Sequence, residues 1–318
     1  MNRPELIQEI REVLTNAGFY VSKLFSMRPV SFDLIARRDN SLLIIKVLTN
    51  IDALSDEVAQ ELKLLSKLLK GNSILIGERS GTGELENEVV YDRFGINAVN
   101  SETLKNLFLE GNQLKIYAGP GGFYVNINTN RLIKMRHDQN ISLGSFARSV
   151  RVSRRTVRLY EEGMNARVEI AERMEELLGT SISTPIDIFS NSSSEDEGLK
   201  KLDFGKEKII ELQREIFYLL KELGYKIIPM ERCPFEAVSK DRDEILLTCV
   251  HQYDDKLIKK AKIVSSISKI TEKHAVVFVD KDVNKTNIEG TPIINKKELR
   301  HSKEPEDVLE LIIERICS

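Results

Sequence analysis

Apolar positions change rhythm along the chain, and each change predicts an element. Residues 5–16 carry the period of an amphipathic helix, with Gly18 just beyond as a stop. Residues 32–37 and 42–48 are strand-like runs separated by the polar turn Arg38-Asp39-Asn40-Ser41. Helical spacing returns over residues 58–69, where Val58, Leu62, Leu65 and Leu69 share one face. A short buried strand is predicted over 73–76, and a third helix starts near Ser101. The runs 113–117 and 123–127 flank the turn Gly119-Pro120-Gly121-Gly122, which predicts a β-hairpin. That turn lacks the Lys-Ser/Thr that would follow in a phosphate-binding P-loop.

From residue 131 the pattern becomes wholly helical. A helix begins at Arg131, capped by Asn128 or Asn130, and Ser142 caps a second over 143–150. Arg151-Val152 forms a turn, Ser153 caps a third helix over 153–162, and Gly163 stops it. A fourth helix, 168–178, ends at Gly179. Leu132, Met135, Leu143, Phe146, Ala147, Val150, Val152, Val157, Tyr160 and Leu177 can converge on one small core. Ala147 is expected where two helices cross closely.

Residues 190–198 (SNSSSEDEG) are polar and acidic, and the stretch 190–203 reads as a linker. Helical spacing restarts at 206–224, and the first domain's pattern then returns. Residues 32–39 align without a gap on 235–242, and 42–47 align on 245–250 in the same register. Gly18-Phe19-Tyr20 matches Gly224-Tyr225-Lys226, 73–76 matches 275–278, and 96–100 matches 291–295. The expectation is an internal duplication around a central helical segment. Its domains are 1–112, 113–189 and 204–318.

The length of 318 residues allows two or three cores, and 41% hydrophobic with 30% charged residues is the balance of a soluble globular chain. No apolar run is long enough to span a bilayer, and the first residues lack the apolar stretch of a signal peptide. Both features point to the cytoplasm. Cys233, Cys249 and Cys317 show no paired spacing and are read as free thiols. The histidines His137, His251, His274 and His301 are scattered without metal-ligand spacing. No cofactor or metal is expected.

A formal net charge of −2 argues against nucleic acid until its distribution is considered. Between residues 131 and 158 stand eight basic residues (Arg131, Lys134, Arg136, Arg148, Arg151, Arg154, Arg155 and Arg158) against one acid, Asp138. A local basic face suits phosphates, whose neutralisation releases counterions.

The run Ser142-Leu-Gly-Ser-Phe-Ala-Arg-Ser-Val-Arg-Val-Ser-Arg-Arg-Thr-Val-Arg-Leu-Tyr-Glu-Glu-Gly163 resembles the phage-repressor (Cro-type) helix-turn-helix. The chain as a whole resembles an archaeal family of transcriptional regulators of similar length and layout. The resemblance implies a sequence-specific regulator that is not an enzyme, binding double-stranded DNA with its third helix in the major groove. Arg154 and Arg155 match the base-reading pair, where an arginine can donate two hydrogen bonds to guanine. Leu159, one turn on, could meet a thymine methyl. Ser153, Arg158, Arg148 and Arg151 are better placed for phosphates. Arg151 departs from the pattern, because the turn usually carries Gly to permit positive φ. Regulators of this type usually bind as dimers, so a homodimer is expected, with the duplicated domains offering its surface.

The flanking domains resemble a degenerate PD-(D/E)xK nuclease fold. Working enzymes of that fold hold magnesium between two acids on adjacent strands, with a lysine two residues after the second. Asp33 and Lys46 match, but Ile44 replaces the second acid; the second repeat has Glu236, Leu247 and Cys249 there. Both repeats are therefore expected to be inactive, with Asp33 and Lys46 a surface pair. The fold class expected is two nuclease-like α/β domains flanking a four-helix, all-α helix-turn-helix domain. Two alternatives remain: a nuclease targeted by the helix-turn-helix, and an RNA- or protein-binding adaptor.

Overall fold

The computed structural model describes residues 2–23, 30–189, 210–242, 244–281, 283 and 285–316. The expected linker 190–203 and Cys317 lie outside the described residues. The chain divides into two compact units, Met1–Ala17 with Val47–Leu54 and Ile74–Ser192, and Gly18–Lys46 with Ser55–Ser73 and Ser193–Ser318. This division cuts through the expected domain 1–112, because two of its segments group with the C-terminal residues. No helix among the described residues is long and apolar enough to cross a membrane.

The first unit opens with the helix Arg3–Asn16. It starts two residues earlier than its apolar spacing indicates, because Asn2 and Glu5 form a reciprocal capping box. The strand Ile96–Val99 runs parallel to Asn72–Ser80 and antiparallel to Val89–Arg93. Beyond it, Ile116–Gly119 is parallel to Val89–Arg93 and forms a hairpin with Gly122–Ile127. The short strands Ala166–Arg167 and Ser183–Thr184 both pair with Gly122–Ile127. The sheet therefore continues into the helical segment between Thr129 and Leu178. The sequence reading missed Val89–Arg93. Its three buried residues form an apolar run too short to separate strand from loop.

The second unit contains the antiparallel pairing of Leu34–Arg38 with the first half of Ser41–Asn50, edged by Tyr20–Val21. It also contains a complete sheet in the order Lys226–Pro229, Ala237–Asp241, Glu244–Val250, His274–Val279, Thr291–Asn295, Asn287–Ile288. Helices Glu211–Glu222 and Pro305–Ile316 bury Ile216, Leu220, Val308 and Ile312 in the core of this sheet.

Pairing registers recur between the two α/β segments. Leu34 faces Ile45 as Ala237 faces Thr248, and Tyr20 faces Arg37 as Lys226 faces Lys240. Leu75 faces Ala98 as Val277 faces Ile293, and Asp92 faces Asn97 as Asn287 faces Pro292. Asn100 and Asn295 each cap the helix that follows. Apart from Asp92 and Asn287, the residues in these pairs are ones that the sequence alignment set against each other.

Within the second unit the two α/β segments touch. The Ser31 amide donates to the Arg232 carbonyl (2.7 Å), and the Arg232 amide donates to Glu61 Oε1 (3.0 Å). The buried Glu61 also accepts from Ser31 Oγ and from the Cys233 thiol. Arg37 pairs with Glu272 at 2.7 Å, and the Lys23 amide donates to Ser266 Oγ. Burial, with Glu61 beside it, pushes the Cys233 thiol well above its ordinary pKa.

Candidate nucleic-acid interface

Four helices follow the hairpin: Thr129–Asp138, Leu143–Ser149, Arg154–Glu161 and Val168–Leu178. Each of the first three begins where a short polar side chain takes up an otherwise unbonded amide. Asn128 accepts from the Arg131 amide, Ser142 from Ser145 and Ser153 from Thr156, at 3.0 to 3.1 Å. Of the two asparagines proposed for the first cap, Asn128 serves. The fourth helix ends on Gly179 in the left-handed region, with φ +65°.

The second and third helices are joined by a tight turn in which Arg151 takes φ +60° and the Val152 amide returns to the Ala147 carbonyl (2.9 Å). A left-handed arginine is strained relative to glycine there, so the departure noted in the sequence has a physical cost. Arg173 closes the second helix by donating to the Val150 carbonyl. Phe146, Ala147, Val150, Val157 and Tyr160 are buried with Leu132, Met174, Leu178 and Ile182 in one core. All ten residues proposed for this core border it or lie in it. Val125 and Ala166 join it through the hairpin pairing, which helical spacing alone could not reveal.

The basic residues separate into two groups. Arg136 is buried: its Nε donates to Glu161 at 2.7 Å and its Nη1 to the Ile141 carbonyl at 2.9 Å. It ties the first helix to the third and does not belong to the solvent face that the charge count assigned it to. His137 Nε2 lies 3.2 Å from the same guanidinium, and Arg131 donates to Thr180. Arg148, Arg151, Arg154, Arg155 and Arg158 are all exposed, and among the described residues none of their guanidinium groups has an acid partner. Leu159 is also exposed (37%), on a helix that buries Val157 and Tyr160. Ser153 Oγ is engaged in the cap and lies 2.8 Å from Thr156 Oγ1.

Arg154 has one close neighbour that the sequence reading missed. Its guanidinium lies over Gly144, where an added Cβ would stand 2.8 Å from Nη2. No sequence spacing signals this contact. It arises only once the turn sets the two helices against each other.

The hairpin Ile116–Gly119 and Gly122–Ile127 adjoins this surface through Ala166–Arg167, the strand that follows the third helix. Tyr117 and Tyr124 stack with centroids 5.9 Å apart, and the Arg167 guanidinium lies 5.9 Å above the Tyr124 ring. Gly121, at φ +79°, turns the hairpin, as a turn rather than a phosphate loop requires.

The acid and lysine singled out in the first α/β segment are 3.7 Å apart and buried, not a surface pair as expected (6% and 7% exposed). Lys46 also donates to the Val30 carbonyl at 2.6 Å. Ile44, in the place of a second acid, is fully buried, as are Leu247 and Cys249. In the second segment Glu236 pairs with Lys260 and accepts from the Val250 amide. No group of three or more His, Cys, Asp or Glu side chains that could hold a metal occurs among the described residues.

Comparison with known proteins places these features in context. A family model described as a PD-(D/E)XK superfamily domain matches residues 3–114. A protein of Methanosarcina acetivorans is 39% identical over 322 residues, covering 99% of this chain and 98% of its own length. One of Methanosarcina mazei is 38% identical over 321 residues with the same coverage, and one of Halorubrum lacusprofundi is 35% identical over 318. Each bears the name "Putative HTH-type transcriptional regulatory protein". No solved structure matches the chain.

Proposed function

We propose a function from the premise that the chain belongs to the family of archaeal HTH-type transcriptional regulatory proteins: it binds double-stranded DNA in a sequence-specific manner through a Cro-type helix-turn-helix. The helix Arg154–Glu161 enters the major groove by its N-terminal turn. Arg154 and Arg155 read base edges, Leu159 meets a thymine methyl, and Arg148, Arg151, Ser153 and Arg158 hold phosphates. The observation that carries this reading is a set of five exposed arginines, four on two helices and Arg151 in the tight turn that joins them, without an acid partner among the described residues. Elsewhere in the same helical segment Arg136 is neutralised by Glu161, so unpaired cations are not simply its default state.

The recurring registers support the further reading that one α/β fold occurs twice, at 1–112 and 204–318, around the DNA-binding segment. Because these segments contact each other inside one chain, a homodimer reading two half-sites would use some other surface. The duplicated domains remain the proposed source of the dimer surface, through faces outside this contact.

Fluorescence anisotropy with a labelled duplex, titrated against salt, tests the assignment. Arg158→Ala should weaken binding to all sequences alike and lower the salt slope by about 1. Arg154→Ala should instead relax preference at a single base step, with a loss of ~1–3 kcal/mol for the preferred base. Uniform loss from Arg154→Ala would place that residue on phosphate.

The PD-(D/E)XK match favours one second reading, a DNA nuclease. Ile44 leaves Asp33 as a single acid already paired with Lys46, which is too little charge to hold magnesium for water activation. Nicking of supercoiled DNA in magnesium, abolished by Lys46→Ala, would establish the nuclease reading; the regulator reading expects intact DNA.

A further inference from the structure

Resting on the assignment of Arg154 to a base edge, we infer that Gly144 is a positioning residue for Arg154 and so helps determine which base is read. Arg154 opens one helix, and Gly144 is the second residue of the helix before it. A Cβ at position 144 would stand 2.8 Å from Arg154 Nη2, 2.9 Å from Nε and 3.0 Å from Cζ. Atoms do not share such distances, so any side chain at 144 expels the guanidinium from its present place.

The backbone offers no competing reason for this glycine. Gly144 is not among the residues with positive φ, and a glycine inside a helix is unfavourable relative to alanine. What the missing Cβ supplies is space, and the group filling that space is the planar head of Arg154. Arg154 has no ion pair or hydrogen bond among the described residues to fix it otherwise.

The consequence concerns entropy and direction of approach. A free arginine samples many rotamers and loses that freedom on binding. Laid flat against the Gly144 backbone, its guanidinium is confined before DNA arrives, so less freedom remains to be lost. The target is a guanine edge, whose two acceptors need the planar fork delivered in one orientation. Because the group displaced by a new Cβ is the far end of a flexible side chain, the cost falls on Arg154's position and not on the fold.

The test is a double-mutant cycle of Gly144→Ala and Arg154→Ala. Its probes are the duplex the parent protein enriches from a random pool and a scrambled duplex of equal length. Gly144→Ala should bind the enriched duplex about tenfold more weakly, the low end of what one arginine–guanine pair supplies. It should leave scrambled-duplex affinity unchanged, hold or raise the thermal midpoint, and relax the same base step as Arg154→Ala. The double variant should be no weaker than Arg154→Ala alone. Parent-like binding by Gly144→Ala, or losses that multiply in the double variant, would overturn the positioning role while leaving Arg154's own role intact. If Arg154→Ala itself binds as the parent does, the base-contact assignment falls and this inference with it.

Discussion

Arg136 and Arg158 belong to one charge-rich segment, yet they face opposite fates. Arg136 is 8% exposed and bonded to Glu161, twenty-five positions away in sequence, while Arg158 stands in solvent and has no acid partner among the described residues. Counting charges could not separate them, because the partner lies on another helix and no short spacing announces it. Arg136→Ala should therefore act on stability: it strands the Glu161 carboxylate and the Ile141 carbonyl in a largely buried site. A loss of about 3 kcal/mol is expected from breaking such a pair, measured as a shift of the urea midpoint at constant slope. Arg158→Ala should leave that midpoint in place, since its side chain has no hydrogen bond or ion pair among the described residues to lose.

Among elements, the legible ones were those whose ends carry chemistry. Asn128, Ser142 and Ser153 cap helices, and Gly163 and Gly179 stop them, so the helix-turn-helix could be outlined from residue types alone. The strand Val89–Arg93 is punctuated less plainly: Glu88 takes positive φ before it, and after it Phe94 shares the left-handed turn with Gly95. The burial of Asp33 and Lys46 was also beyond the sequence, because it depends on what covers their strands. Arg151 offers a test at this scale. Its φ of +60° suits glycine better, so Arg151→Gly should stabilise the protein by roughly 1 kcal/mol. If its guanidinium also holds a phosphate, the same change should lower the salt slope of DNA binding. A stabilised variant with unaltered salt slope would remove Arg151 from the interface and leave the turn argument standing.

Across the whole molecule, the register of the α/β pairing recurs while its chemistry does not. Leu34 opposite Ile45 and Ala237 opposite Thr248 keep one geometry, whereas Asp33 pairs with a strand lysine and Glu236 with Lys260 on a helix. Pleat and alternation preserve register even when site residues differ, so the proposed repeat is legible in the strand pattern although Ile44 and Leu247 stand where a second acid would be. The second unit then joins both segments through Glu61, Ser31 and Arg232, a contact that no sequence pattern foretold. With the paired α/β segments read as scaffold, the proposed sequence-specific function rests on the helix Arg154–Glu161. The most direct test is selection of bound duplexes from a random pool at fixed salt, run in parallel with the parent protein and an Arg154→Ala/Arg155→Ala variant. The account predicts a defined motif for the parent that vanishes for the variant while salt-sensitive, sequence-blind binding persists. An unchanged motif in the variant, or no motif with the parent, would contradict it.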